Sequence, residues 1–265
     1  MTTSPSVRIS PARRRALIDP AAVPASGSVA QCKTTCLTCN LRELCVPCCG
    51  LDRSEMELAN RLGFRRLRVR RGASLYRTGD RFTSLYGVRY GFFKTISLLE
   101  DGRDQVTGYS ITGEVLGMDG IGHELHTCNA VAQEDSEVCA IPFAGLQALA
   151  QELPSLQRQF NKLMSREILR EQGVMLQLGS MNAEERVAML LLDMSRRFGA
   201  RGYSPSEFNL RMTREEIGSY LGLKLETVSR TFSRFQEEGL IAVQQKFIRV
   251  LDRNRLQQVM GRGPD

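Results

Sequence analysis

The 265 residues predict an α+β chain: an antiparallel β-barrel or sandwich, then a long helix, then a winged helix-turn-helix. Three observations carry this. Between Phe64 and Ile141, short segments rich in β-branched and aromatic residues are broken at close intervals by glycine. From Leu153 to Leu178, apolar residues recur at spacings of three and four. Beyond Asn182, two capping boxes, a glycine turn and a pair of strand-like runs follow one another closely.

The length leaves room for two domains, and 42% hydrophobic residues can fill real cores. Lys and Arg number 36 against 29 Asp and Glu, and the resulting net charge of +7 suits a polyanionic partner. No apolar run approaches the ~18 residues of a membrane span, and no signal-peptide core follows Met1, so a cytoplasmic chain with no membrane partner is expected. The two histidines, His123 and His126, share one loop without an evident catalytic partner and read as surface residues. An enzyme is therefore not expected.

Residues 1–30 are rich in Ser, Pro, Ala and Arg, include Arg13-Arg14-Arg15, and read as a disordered arm. Residues 31–152 hold a run of cysteines and then the β-rich stretch. Six of the eight cysteines fall between positions 32 and 49: Cys32, Cys36, Cys39, Cys45, Cys48 and Cys49. Without an export signal, such crowding favours metal or redox chemistry over a disulfide framework. Thiolates are soft ligands that suit zinc, copper(I) and iron–sulfur clusters, and spacing alone does not separate zinc from a cluster. Strands are expected at Ser74–Tyr76, Leu85–Val88, Phe92–Ser97 and Val106–Ile111, with Cys128 and Cys139 in the final strands. Either could complete a thiolate site.

Residues 153–180 form the long helix. Pro154 fits its first turn, and Phe160, Met164, Ile168, Met175 and Leu178 make a stripe resembling a two-stranded coiled-coil seam, with Glu171 set between Ile168 and Met175. Residues 181–265 open with the capping box Asn182–Glu185, and Val187, Leu190, Leu191 and Met194 follow on a helical face. A second box, Thr213–Glu216, starts a short helix that turns at Gly222. The next helix, from about Leu225 to Glu238, buries Val228, Phe232 and Phe235 and leaves Glu226, Thr227, Ser229, Arg230 and Ser233 outside. A hairpin of Leu240–Val243 and Phe247–Leu251 completes the wing. In this arrangement the second helix enters the major groove of double-stranded DNA, where Arg bonds guanine, Glu accepts from cytosine and Ser adapts. Lys224 stands where a Thr cap would serve the helix better.

These residues resemble the cyclic-AMP receptor protein superfamily, and within it the fumarate and nitrate reduction (FNR) regulators. The likeness runs from about Cys32 to Val250, strongest in Asn182–Arg186, Met194–Phe198 and Met212–Gly239; Glu226-Thr-Val-Ser229-Arg230 resembles the family's E-x-x-S-R signature. The resemblance implies that the β-rich region is a β-roll of cyclic-nucleotide-binding type, acting as a sensor, and that the long helix dimerises the chain. It also implies a [4Fe-4S] cluster. Cys36, Cys39 and Cys45 match its C-x2-C-x5-C arrangement, and Cys139, in Val138-Cys139-Ala-Ile-Pro-Phe143, matches its distant ligand, with Cys128 as the alternate. Further implications are a homodimer, palindromic TTGAT-type half-sites read by Arg230, Glu226 and Ser229, and RNA polymerase contacts near Asp101–Arg103 and after Arg197. Ile168 and Glu171 are the expected dimer switch. The stretch Gly120–Ala132 lacks the phosphate-holding Arg of cyclic-nucleotide-binding relatives, which argues against that ligand, although Glu114 echoes their acidic ribose partner. A zinc-stapled or cyclic-nucleotide-responsive DNA binder of the same architecture is the alternative.

Overall fold

The computed structural model describes residues 51–98 and 102–261. The arm at 1–30 and the six clustered cysteines, Cys36, Cys39 and Cys45 among them, lie outside the described residues.

Helix α1 (Arg53–Asn60) begins at Asp52, whose carboxylate accepts from the Glu55 N–H while Glu55 reaches back to the cap. Eight short strands follow: β1 (Arg65–Val69), β2 (Ser74–Tyr76), β3 (Ser84–Tyr90), β4 (Phe92–Leu98), β5 (Asp104–Ile111), β6 (Val115–Leu116), β7 (Asn129–Ala132) and β8 (Ser136–Pro142). They form two four-stranded antiparallel sheets, β1-β8-β3-β6 and β2-β7-β4-β5. Val69, Tyr76, Val88, Phe93, Ala130 and Val138 fill a core together. Strand β8 shows the alternation that makes this possible. Val138 joins that inner core, while its neighbours Cys139 and Ile141 join the apolar cluster formed with α1 and α2 (Phe143–Glu152).

Helix α3 (Pro154–Ser180) is one 27-residue helix with two apolar sides. Leu156 and Leu163 are buried against the roll's outer cluster, and Val174 packs on the C-terminal core. Ile168, Leu169, Met175 and Leu176 stay uncovered, Met175 at 71% exposure, and Glu171 is exposed with them. The single stripe read from the sequence therefore divides: Phe160 and Met164 are half-buried near the roll, and the stripe from Ile168 onward is open.

After α3 come α4 (Ala183–Gly199), β9 (Glu207–Asn209), α5 (Arg214–Leu221), α6 (Leu225–Glu237), β10 (Ile241–Gln244), β11 (Phe247–Val250) and α7 (Arg253–Val259). The wing is a three-stranded sheet, β10-β11-β9. Strand β9 and helices α1, α2 and α7 add to the elements expected from the sequence; they are short, and their apolar residues serve distant partners. Leu256 of α7, for example, joins the core of α4, α5 and α6. That core also takes in Phe92, Val106, Tyr109 and Ile111 from the roll, so the two halves of the chain share one apolar cluster.

Candidate nucleic-acid interface and thiol site

The helix-turn-helix is held by local chemistry. Thr213 caps α5, its hydroxyl accepting from the Glu216 N–H at 3.1 Å while the Thr213 N–H donates to the Glu216 carboxylate at 2.6 Å. Gly222 ends the helix at φ +63°, a left-handed conformation that side chains disfavour. Gly218 lets the turn close: a Cβ there would lie 2.5 Å from the Leu223 carbonyl oxygen. Lys224 is the N-cap of α6 and provides no side-chain bond to it. Helix α6 is fixed instead by burial of Val228, Phe232 and Phe235. Burial lowers the Arg214 guanidinium to about 10, still charged at neutral pH, and it stacks 3.3 Å from the centre of the Phe232 ring.

On the other side of α6, Glu226 and Arg230 are exposed, and Thr227 and Ser229 are half-exposed. All four expected readout residues thus lie near the N-terminal half of a single helix, clear of its core. Arg186 ties this unit to the long helix. Its guanidinium donates to the carbonyls of Met181 (2.9 Å), Leu178 (3.0 Å) and Leu221 (2.9 Å), gathering the ends of α3 and α5 around one positive charge.

The two described cysteines occupy different places. Cys139 sits in the central run of β8, paired with Arg66 of β1 and with Gly87 of β3, which brings no side chain. It packs in the same cluster as Leu51, only six positions after Cys45, a length of chain that reaches at most about 20 Å. Cys128 falls just before β7, not within a strand, and belongs to the inner core of the roll. Burial, with the charge and hydrogen bond of Asp119, pushes its thiol up to about 12. The expectation that Cys128 lies in a strand is corrected by this position, and its place in the inner core sets it apart from the cluster that holds Cys139 and Leu51.

His126 requires a second correction. It is only 2% exposed, stacks on Tyr76 with ring centres 3.7 Å apart, and has Nδ1 3.3 Å from an Asp119 carboxylate oxygen. His123 is exposed. Phe82 packs on the same β6–β7 segment, 2.6 Å from where a Cβ on Gly120 would stand. Glu114 is also committed elsewhere. Arg197 donates to both its oxygens at 2.9 and 2.5 Å, and Arg201 donates to one of them at 2.8 Å. Sequence reading missed this cluster because its partners stand 83 and 87 positions apart. The only local hint was Glu114 itself.

A roll of this kind behind a winged helix-turn-helix with an exposed readout helix defines a transcription regulator. Residues 185–259 match the family profile described as the Crp-like helix-turn-helix domain, and residues 66–152 match that of the cyclic nucleotide-binding domain. The chain is 46% identical over 239 residues to the transcriptional regulatory protein btr of Bordetella pertussis, covering 90% of this chain and 97% of that one. It is 40% identical over 230 residues to the fumarate and nitrate reduction regulatory protein of Escherichia coli K12, covering 87% and 92%. The transcriptional activator protein Anr of Pseudomonas protegens is 44% identical over 217 residues, covering 82% and 88%. Among solved structures, FixK2 of Bradyrhizobium japonicum superposes with a TM-score of 0.68 at 29% identity, covering 74% of this chain and 96% of that one. The chain belongs to the CRP/FNR family of transcription regulators, in its FNR-type branch. Its members regulate transcription as DNA-binding dimers and are not enzymes. Among the described residues, no helix is long and apolar enough to cross a membrane.

Proposed function

We propose that the chain is a cytoplasmic oxygen-sensing regulator whose [4Fe-4S] cluster, held by Cys36, Cys39, Cys45 and Cys139, promotes homodimerisation and binding to TTGAT-N4-ATCAA-like palindromes. What supports this reading is the company of Cys139. A buried thiol of β8 shares its cluster with Leu51, which closes the cysteine-rich run, and its partner on β3, Gly87, brings no side chain. One described thiol with this setting fits a sulfur-ligated group, and the other three ligands fall within reach of the chain that ends at Leu51. When bound, such a cluster supplies a centre that oxygen converts, so that binding switches off in air.

The chain's own residues set the threshold. Ile168, Leu169, Met175 and Leu176 give α3 an apolar face for a second copy, and Glu171 places a carboxylate on it. Two such carboxylates about 7 Å apart, at an effective dielectric near 20, repel by about 2–3 kcal/mol, around a hundredfold in dimerisation. A well-placed sensor region overcomes that repulsion. The dimer then sets two copies of α6 on half-sites one DNA turn apart, with Arg230 on the guanine and Glu226, Thr227 and Ser229 completing the readout. RNA polymerase contact is assigned near Asp101–Arg103 and to the region after Arg197, where Tyr203 is 53% exposed. A cyclic nucleotide is not the ligand: Gly120–Ala132 offers no Arg, and Glu114 is held by arginines.

Anaerobic purification with iron analysis and an absorbance spectrum tests the reading. Brown protein that bleaches in air is expected, with the colour lost in Cys139→Ala and kept in Cys128→Ala. Colourless protein carrying one zinc per chain would overturn it in favour of a structural staple.

A further inference from the structure

The junction between the roll and the DNA-binding domain is built as carefully as either part. Glu114, at the mouth of β6, receives Arg197 and Arg201 from α4 and the residues beyond it, with an Arg170 nitrogen from α3 4.0 Å away. The same arginines also cap roll carbonyls: Arg197 donates to Tyr109 O at 2.7 Å, Arg170 donates to that oxygen too, and Arg201 donates to Thr112 O. Asp193 joins from α4, 3.3 Å from Arg197. Further along the junction, Lys94 of β4 meets Glu216 of α5 at 2.6 Å, the Val106 N–H of β5 donates to the Ser219 hydroxyl at 2.9 Å, and Gln105 donates to the Ser219 carbonyl. The Tyr109 and Tyr220 rings meet edge to face at 5.2 Å.

This contact leaves the working surfaces clear. Glu226 and Arg230 of α6 remain exposed, as does Thr213 at the start of α5, and Ile168 and Met175 of α3 are uncovered. A docked domain that blocks neither the groove-facing helix nor the dimer seam is held, not silenced. Its backbone link to α3 is two residues, Met181 and Asn182, and Arg186 and Val174 hold only that corner, so the junction fixes the orientation of the rest of the domain on the roll.

We propose that Glu114, with Arg170, Arg197 and Arg201, is a positioning site that fixes the winged domain on its own β-roll in the posture in which both recognition helices of a dimer meet two half-sites at once. Engagement of the second half-site is an intramolecular event, whose effective concentration depends on how narrowly the second domain is oriented. Engagement of a single half-site carries no such requirement. The clasp should therefore matter for palindromes and not for isolated half-sites.

The test uses the anaerobically purified full chain and two labelled duplexes of equal length, one with both half-sites and one with a single half-site. Glu114→Gln keeps the shape and removes the charge. It should weaken palindrome binding by about tenfold or more while half-site binding stays within about twofold. The paired change Lys94→Ala with Gln105→Ala, at the far end of the same junction and away from the buried carboxylate, should show the same split if Glu114→Gln fails to fold. Equal losses on both duplexes, or an unchanged palindrome affinity, would overturn the proposal.

Discussion

Replacing Arg230 by alanine isolates DNA reading from everything else the chain does. Arg230 is exposed in the first half of α6, and no ion pair or hydrogen bond to it occurs among the described residues. Its loss leaves no buried partner unsatisfied, so the unfolding free energy should stay within the usual scatter for surface changes, about 0.5 kcal/mol. The effect on DNA follows from the bidentate contact it would make with guanine, worth ~1–3 kcal/mol per base pair read. A dimer makes that contact twice. Operator affinity should therefore fall by about 2–6 kcal/mol, a factor between roughly thirty and twenty-five thousand. Fluorescence anisotropy at fixed salt, on the palindrome and on a duplex with the guanine replaced in both half-sites, reads the quantity that matters. The wild type should discriminate strongly between the two, and the variant should bind both alike. A variant that keeps its preference for the guanine, or that loses affinity for specific and non-specific DNA in the same proportion, would remove Arg230 from base reading and reduce it to a phosphate contact.

Three further outcomes follow from the same structure. Glu171→Ala takes the carboxylate off the exposed side of α3 and should yield dimers in air, read by sedimentation velocity; monomers under those conditions would refute the electrostatic gate. Arg186→Ala deprives three helix-end carbonyls of a charged donor and should cost about 2–4 kcal/mol of the DNA-binding domain's stability in urea, with no change in iron content. The third concerns acid. Burial alone would raise the Glu114 carboxyl, but Arg197, then Arg170 and Arg201, hold it below the ordinary glutamate value of 4.5. Its stabilising contribution is complete above that unfolded value and is lost as pH falls through the lower folded one. Thermal stability of the wild type should thus gain a component that declines below about pH 4.5 and is missing from Glu114→Gln; parallel pH profiles for the two proteins would contradict it.

Much of the architecture can be read directly from the chain because it rests on local rules. The capping boxes at Asn182 and Thr213 mark helix starts, and both are present with their reciprocal bonds. Gly222 sits at the left-handed turn. The segments Ser74–Tyr76 and Phe92–Ser97 become strands because their residues suit a pleated surface and glycine or a turn closes each end. The readout residues Glu226 and Arg230 are legible for the same reason: on a helix, burial of Val228, Phe232 and Phe235 dictates which side remains outside.

What the sequence alone determined, then, is the order of elements, the exposed side of α6 and the two candidate thiols of the roll. Only the tertiary structure separated those thiols, putting Cys139 near Leu51 and Cys128 in the inner core, because successive faces of a strand and its neighbours are assigned by which sheet packs where. It likewise buried His126 against Tyr76 and divided the stripe of α3 into a covered and an open side. The grip of Arg197 and Arg201 on Glu114 belongs to the same class. Such contacts join residues more than eighty positions apart, and no local periodicity encodes which distant charge a buried carboxylate will meet.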